Sequence, residues 1–157
     1  MIVMLARFSE LCFIGLVAGA TLCVVLVERG LGSSGAFYVE FKQLLIRRLT
    51  VPLPLLAAIG LLAALVDTYS LWRTGRSREL AISIAAIILI SVGGVLTKAG
   101  HFPINASMMT WDPAAPPPDW MAVQAKWAAL HLARTAATIL AFALLIVVNL
   151  LRSGSAR

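Results

Sequence analysis

The chain has 157 residues, of which 61% are hydrophobic and only 13% are charged. Soluble domains carry about a quarter charged residues, so this composition excludes an ordinary water-soluble domain, and the length leaves room for one compact bundle. The net charge of +6 does not indicate nucleic-acid binding, because the basic residues lie at the ends of apolar segments rather than along one polar face.

Four apolar stretches are long enough to cross a bilayer core of about 30 Å, which takes roughly 17–25 helical residues. They lie at about 11–28, 51–72, 80–98 and 128–151. The first is longer than the apolar core of a signal peptide, so we expect it to be a retained helix. The sequence therefore predicts an all-α integral membrane four-helix bundle, with residues 1–157 forming a single four-span domain.

The segment between the first two spans predicts a short interfacial helix over about 36–49. Its apolar residues recur at helical spacing: Phe37, Phe41, Leu44, Leu45 and Leu49. Glu40, Gln43 and Arg47 share another face. Such a helix is expected to lie in the plane of the membrane interface.

The other two connections are a short turn and a long loop. Residues 73–79 form a basic turn, and residues 98–119 form a proline-rich loop that ends in three prolines before Asp119. Aspartate is a favoured N-cap residue, so a helix is expected to begin there and lead into the fourth span.

The orientation of the bundle depends on its basic residues. With four spans, both termini lie on one side of the membrane, and six Lys or Arg residues flank the spans on each side. The short cluster at 73–78 adjoins two helix ends and is the cleaner cytoplasmic retention signal. We therefore expect both termini in the cytoplasm, in a bacterial inner membrane.

One set of polar and aromatic residues falls at a single end of this predicted bundle. The end of span one, the end of span three and the start of span four share a membrane side, as does the 98–119 loop. The set comprises Glu28, His101, Asn105, Trp111, Trp120, Trp127, His131 and Arg134. Ionisable residues inside membrane spans are costly and mark functional candidates, so the candidate site lies at this end.

The fourth span sharpens the prediction. At about 100° per residue, Trp127, His131 and Arg134 fall on one stripe, with Arg134 roughly 10 Å deeper than Trp127. An arginine at that depth needs a partner, and Glu28 is the expected one. The alternatives are that the tryptophans are interfacial anchors, that Arg134 reaches the headgroups and that His131 is a helix-packing residue.

No cofactor is predicted from these residues. His101 and His131 lie on the same side and are a weak candidate pair for a metal or haem. The sequence lacks the nearby carboxylates that usually hydrogen-bond to metal-binding histidines.

Three segments carry a family resemblance. Residues 15–20 run into Val27-Glu28; residues 101–105 read His-Phe-Pro-Ile-Asn; and Trp111 and Asp119-Trp120 precede Trp127-x3-His131-x2-Arg134. In this order they resemble the first helix, the Pro-Ile-Asn motif and the tryptophan-rich approach to helix four of the anthrone-oxygenase-like membrane proteins. One departure is that Glu28 is followed by Arg29-Gly30, where that family often has His-Pro.

The resemblance implies an oxygenase without a prosthetic group that acts on an anthrone-like polycyclic phenol. The acidic C–H of such a substrate gives a delocalised carbanion that reacts directly with O₂. In this hypothesis His131 is the base, Arg134 and Asn105 hold the oxyanion, and Glu28 orients Arg134 or His131. The expected substrate-binding residues are His101, Trp111, Trp120 and Trp127.

The alternative hypothesis is a non-catalytic membrane module. It would be an accessory subunit with a membrane-protein partner, or a binder of a quinone, a lipid or haem. The tryptophan stripe would then be a docking face. The expected partners are the lipid bilayer, a hydrophobic aromatic small molecule or quinone and, for an accessory subunit, a membrane protein.

Overall fold

The computed structural model describes residues 1–28 and 34–154. Within these ranges the chain forms helices and turns and no strand. The helices are α1 (Ile2–Glu28), α2 (Gly35–Leu49), α3 (Pro52–Arg73), α4 (Ser77–Val95), a π-helical turn (Leu96–His101), α5 (Phe102–Met108) and α6 (Trp120–Gly154). The departure from the family pattern at Arg29-Gly30 lies outside the described residues.

Four stretches are long and apolar enough to cross a membrane, namely Ile2–Glu28, Pro52–Arg73, Ser77–Met108 and Trp120–Ser153. α1 packs against α3 and α6, and α4 packs against α6 and α3. Small residues allow these helices to approach closely. A Cβ atom on Gly60 would lie 2.6 Å from the side chain of Ile14, so α1 and α3 could not pack as they do with a larger residue there. The protein is an all-α integral membrane bundle, as predicted.

The third span continues further than the sequence indicated. Residues 98–119 were expected to form a loop, but the chain remains helical through Met108, and the loop covers only 109–119. The prediction was wrong because α4 passes through the π-helical turn directly into α5, and Pro103, in the first turn of α5, does not end the helix. The helix after Asp119 begins at Trp120, as expected.

The predicted helix over 36–49 is present as α2, but its buried face is not the apolar one. Ser34 caps it by accepting a hydrogen bond from the backbone N–H of Phe37. The buried residues are Tyr38, Val39, Lys42 and Gln43, whereas Phe37 is 51% exposed and Leu44 is 54% exposed. This buried face packs on the polar end of the bundle, where Lys42 and Gln43 find partners, whereas Phe37, Leu44, Glu40 and Arg47 are all exposed. We call α2 the cap helix.

The opposite end of the bundle carries a second polar network. Asp67 of α3 accepts two hydrogen bonds from Arg152 of α6, at 2.5 and 2.7 Å. Asn149 donates to Glu10 at 3.1 Å and accepts from Arg7 at 2.7 Å. These bonds tie α1, α3 and α6 together at the end away from the candidate site.

Candidate functional site

The candidate site lies where α1 ends, α6 begins and the cap helix covers the bundle. The π-helical turn supplies the remaining wall. A π turn widens the helix by one residue and is frequent at functional sites. Here it carries Thr97 and His101, which both face the residues of α6.

Both ring nitrogens of His131 are engaged. Its Nε2 lies 2.9 Å from the carbonyl oxygen of Thr21, and because a carbonyl only accepts, this nitrogen carries the hydrogen. Its Nδ1 accepts a hydrogen bond from Arg134 Nη2 at 2.7 Å. A neutral imidazole has one donor and one acceptor, so His131 has no lone pair left for a substrate proton and instead orients Arg134.

His101 is arranged differently. Its Nδ1 donates to the carbonyl oxygen of Leu96 at 3.1 Å, so in the neutral ring Nε2 carries a free lone pair. The side chain is 1% exposed, and Nε2 has no hydrogen-bond partner among the described residues. The ring meets that of Trp127 edge-on, with centroids 5.0 Å apart. His101 is therefore the imidazole that is available to accept a proton.

The two histidines considered for a metal or haem do lie together, with ring centroids 6.0 Å apart. Because both nitrogens of His131 already have partners, His101 Nε2 is the free imidazole nitrogen of the pair. Within the described ranges, no group of three or more His, Cys, Asp or Glu residues is placed to share a metal ion.

Arg134 is held by neutral groups. Its Nη1 donates to Thr97 Oγ1 at 3.1 Å and its Nη2 to His131, while its buried Nε has no partner in the described part of the chain. The expected partner, Glu28, instead forms an ion pair with Lys42. That expectation was wrong because the cap helix brings a second cation to the site, and this cation takes the carboxylate.

Lys42 is the site residue that sequence reasoning missed. Its side chain is 1% exposed and its ammonium group lies 2.9 Å from the centre of the Trp127 ring. Burial, together with the positive charge of Arg134, lowers the pKa of Lys42 to about 8, although the negative charge of Glu28 acts in the opposite direction.

A signal for Lys42 was present in the sequence. An interfacial helix turns its apolar face toward lipid, which leaves the opposite face to cover the protein. On α2 that opposite face carries Tyr38, Lys42 and Gln43. From the sequence alone, Lys42 is only one of the six basic residues that flank the spans on this side of the membrane.

The tryptophans have different surroundings. Trp127 stacks on His131, with centroids 4.7 Å apart, and donates a hydrogen bond from Nε1 to Asn105 Oδ1 at 2.8 Å. Trp111 and Trp120 pack against buried side chains of the cap helix, among them Tyr38. Trp127 therefore lines the site, whereas the other two hold the cap in place.

Among the cavities that adjoin this cluster, two share part of their walls. The polar chamber has a volume of about 60 Å³ and is lined by Lys42, Asn105, Trp127, His101, His131 and Arg134, among others. The apolar chamber has a volume of about 590 Å³ and lies between α3 and α4, with α1 and α6 behind it. The residues common to both linings are Leu53, Pro54, Thr97, Phe102 and Arg134.

These features define a small membrane protein with a buried cationic pocket and one free imidazole. The chain matches the family model described as anthrone oxygenase over residues 41–144, about two-thirds of its length. It belongs to that family, as the three sequence segments predicted. The match includes most of the cap helix, the π-helical turn and the stripe on α6. No curated protein and no solved structure matches the chain significantly.

Proposed function

We propose that this protein is a cofactor-independent oxygenase that converts an anthrone-like polycyclic phenol into a quinone. The observation that carries the proposal is that, among the described residues, Nε2 of His101 has no partner and the nearby cation Arg134 has no carboxylate partner. A base next to an unpaired buried cation suits the formation of a carbanion whose charge moves onto an oxygen atom.

The reaction begins when His101 Nε2 removes a proton from the acidic CH₂ carbon of the substrate. The negative charge is delocalised onto the substrate oxygen, which Arg134 stabilises through its free Nε. The carbanion gives one electron to O₂, and the two radicals combine to form a C–O bond. His101 returns its proton to the resulting peroxide anion.

The hydroperoxide then loses water. The second hydrogen of the original CH₂ leaves as a proton, the O–O bond breaks, and the carbon becomes a carbonyl. One oxygen atom of O₂ remains in the quinone, and the other leaves as water with both hydrogens. The substrate is oxidised and O₂ is reduced, so no further reductant is needed.

The roles of the neighbouring residues follow from their contacts. His131 was the base expected from the sequence, but we propose that its role is to orient Arg134. Asn105 positions Trp127, and Glu28 holds Lys42 over the Trp127 ring. Trp127 excludes water from the base, which strengthens the electrostatic interactions in the chamber.

Chemical rescue tests the proposal. Purified protein in lipid nanodiscs is assayed for quinone formation and O₂ uptake above the spontaneous rate. His101→Ala is expected to lower the catalysed rate by about 100-fold or more, and added imidazole is expected to restore part of it. His131→Ala is expected to lose activity without rescue, and Lys126→Gln, an exposed change on α6, serves as the control.

Two outcomes would contradict the proposal. Rescue of His131→Ala but not of His101→Ala would assign the base to His131. A wild-type protein that oxidises no anthrone above the spontaneous rate would favour the non-catalytic module, and a haem absorption band in the purified protein would identify one form of it.

A further inference from the structure

We infer that the apolar chamber between α3 and α4 binds the ring system of the substrate, which enters it sideways from the lipid bilayer. The inference rests on the proposed function for the identity of the ring system, a flat polycyclic phenol. It concerns where that molecule binds and how it arrives, which the chemistry at His101 does not determine.

The volumes of the two chambers separate their roles. The polar chamber, at about 60 Å³, has space for only a few water molecules. The apolar chamber, at about 590 Å³, lies within the roughly 300–1,000 Å³ that small-molecule sites occupy. A fused-ring substrate therefore fits only in the apolar chamber, with the reacting edge at the wall that the two chambers share.

The shared wall supplies a suitable polar contact. Arg134 and Thr97 line both chambers, and the Nε of Arg134 is buried and unpartnered within the described ranges. Thr97 already donates to the carbonyl oxygen of Gly93 and accepts from Arg134. A substrate oxygen at this wall would therefore bind Arg134, and the apolar rings would extend away between the helices.

The chamber opens on the side of the bundle that faces lipid. α3 and α4 touch near their connecting turn, where the hydroxyl oxygens of Thr68 and Ser83 lie 2.6 Å apart. Farther from the turn the chamber separates them, and its lining includes the exposed residues Ala58, Ser91 and Gly94. All three lie inside the candidate membrane spans, so this opening meets hydrocarbon rather than water.

Gly94 allows the opening to be closed by a single substitution. A Cβ atom on Gly94 would meet nothing within 4 Å, so there is room at the opening for a large side chain. Replacing a helical glycine also favours the helix by up to about 1 kcal/mol, so Gly94→Phe is expected to fold. Gly19 on α1 is an equally open, exposed glycine that does not line this chamber, so Gly19→Phe is the matched control.

The test measures binding of dihydroxyanthraquinone, a planar phenolic quinone that needs no turnover, to the full chain in nanodiscs. Gly94→Phe and Ala58→Phe are expected to raise its Kd at least tenfold, and Gly19→Phe is expected to leave it unchanged. Anthraquinone sulfonate has the same rings but is kept in water by its charge, so its association with wild-type protein is expected to be at least tenfold slower.

The results distinguish this inference from the proposed function. Unchanged affinity in Gly94→Phe and Ala58→Phe would overturn the chamber as the binding site, and equally fast association of the sulfonate would overturn entry from the bilayer. Either result leaves anthrone oxidation by the wild type intact. Conversely, the wild-type protein could bind the quinone tightly, lose this binding in Gly94→Phe and yet oxidise no anthrone. That result would support the chamber as the binding site and contradict the proposed function.

Discussion

At the scale of single residues, the main feature of the site is its excess of positive charge. Lys42 and Arg134 are both cations of the polar chamber, and Glu28 compensates only Lys42. The three groups together carry one net positive charge when Lys42 is protonated. That charge favours an anionic intermediate, and it disappears when Lys42 loses its proton.

The first prediction concerns the pH dependence of this charge. The pKa of Lys42 is lowered to about 8 from the usual 10.5, with burial as the largest cause. As pH rises through about 8, the ammonium group becomes neutral and the net charge of the three groups falls from one to zero. The catalysed kcat/KM, after subtraction of the spontaneous rate, is therefore expected to fall above pH 8 in the wild type.

Lys42→Arg is the matched control for the pH profile, because a guanidinium remains charged across this range. The fall above pH 8 should disappear in this variant; a wild-type profile without any fall would contradict the role of Lys42.

The free energy of unfolding changes with pH in the opposite direction to the catalysed rate. Between about pH 8 and 10.5 the unfolded chain binds more protons at Lys42, so its contribution to the free energy of unfolding rises with pH.

The availability of each ring nitrogen could not be predicted from the sequence. Helical spacing placed Trp127, His131 and Arg134 on one stripe, and the topology brought His101 to the same end. Which imidazole is free depends on the carbonyl oxygens of Thr21 and Leu96. These are backbone atoms, whose positions depend on how α1 packs on α6 and on the π-helical turn, and residue types do not encode them.

At the scale of secondary-structure elements, the cap helix determines whether the site is closed. Gln43 of α2 donates from its amide nitrogen to the backbone carbonyl oxygens of Met108 and Trp111, at 3.1 and 2.9 Å. These bonds join the cap helix to the end of α5 and to the loop that follows it. The sequence predicted the helix itself but not which of its residues are buried, because these depend on how the helix is rotated against the bundle.

The second prediction tests this attachment. Gln43→Leu removes the amide donor, so the carbonyl oxygens of Met108 and Trp111 lose this hydrogen-bond partner. The loss is expected to lower the free energy of unfolding by about 1–3 kcal/mol. Hydrogen exchange of residues 35–49 is expected to accelerate, and anthrone oxidation is expected to decrease as water reaches the chamber. Glu40→Gln, on the exposed face of the same helix, is the control. Unchanged exchange in Gln43→Leu would show that other contacts hold the cap.

At the scale of the whole molecule, the two ends of the bundle perform different tasks. The span lengths and the apolar runs predicted the bundle correctly, because crossing a membrane requires only length and hydrophobicity. The ion pair of Asp67 with Arg152 was not predicted, because it depends on the rotation of α3 and α6 about their axes.

The third prediction is that the end with Asp67 and Arg152 stabilises the bundle without affecting catalysis. The Asp67 side chain is 0% exposed, and removing one partner of a buried ion pair costs about 3–5 kcal/mol. Asp67→Ala is therefore expected to lower the Tm in nanodiscs clearly, while the KM and kcat of the folded fraction stay at wild-type values. Arg78→Gln, an exposed change at the same end of the bundle, should alter neither quantity. Loss of activity in Asp67→Ala at an unchanged Tm would instead show that the far end is coupled to the chamber, because a purely structural clamp acts on catalysis only through the amount of folded protein.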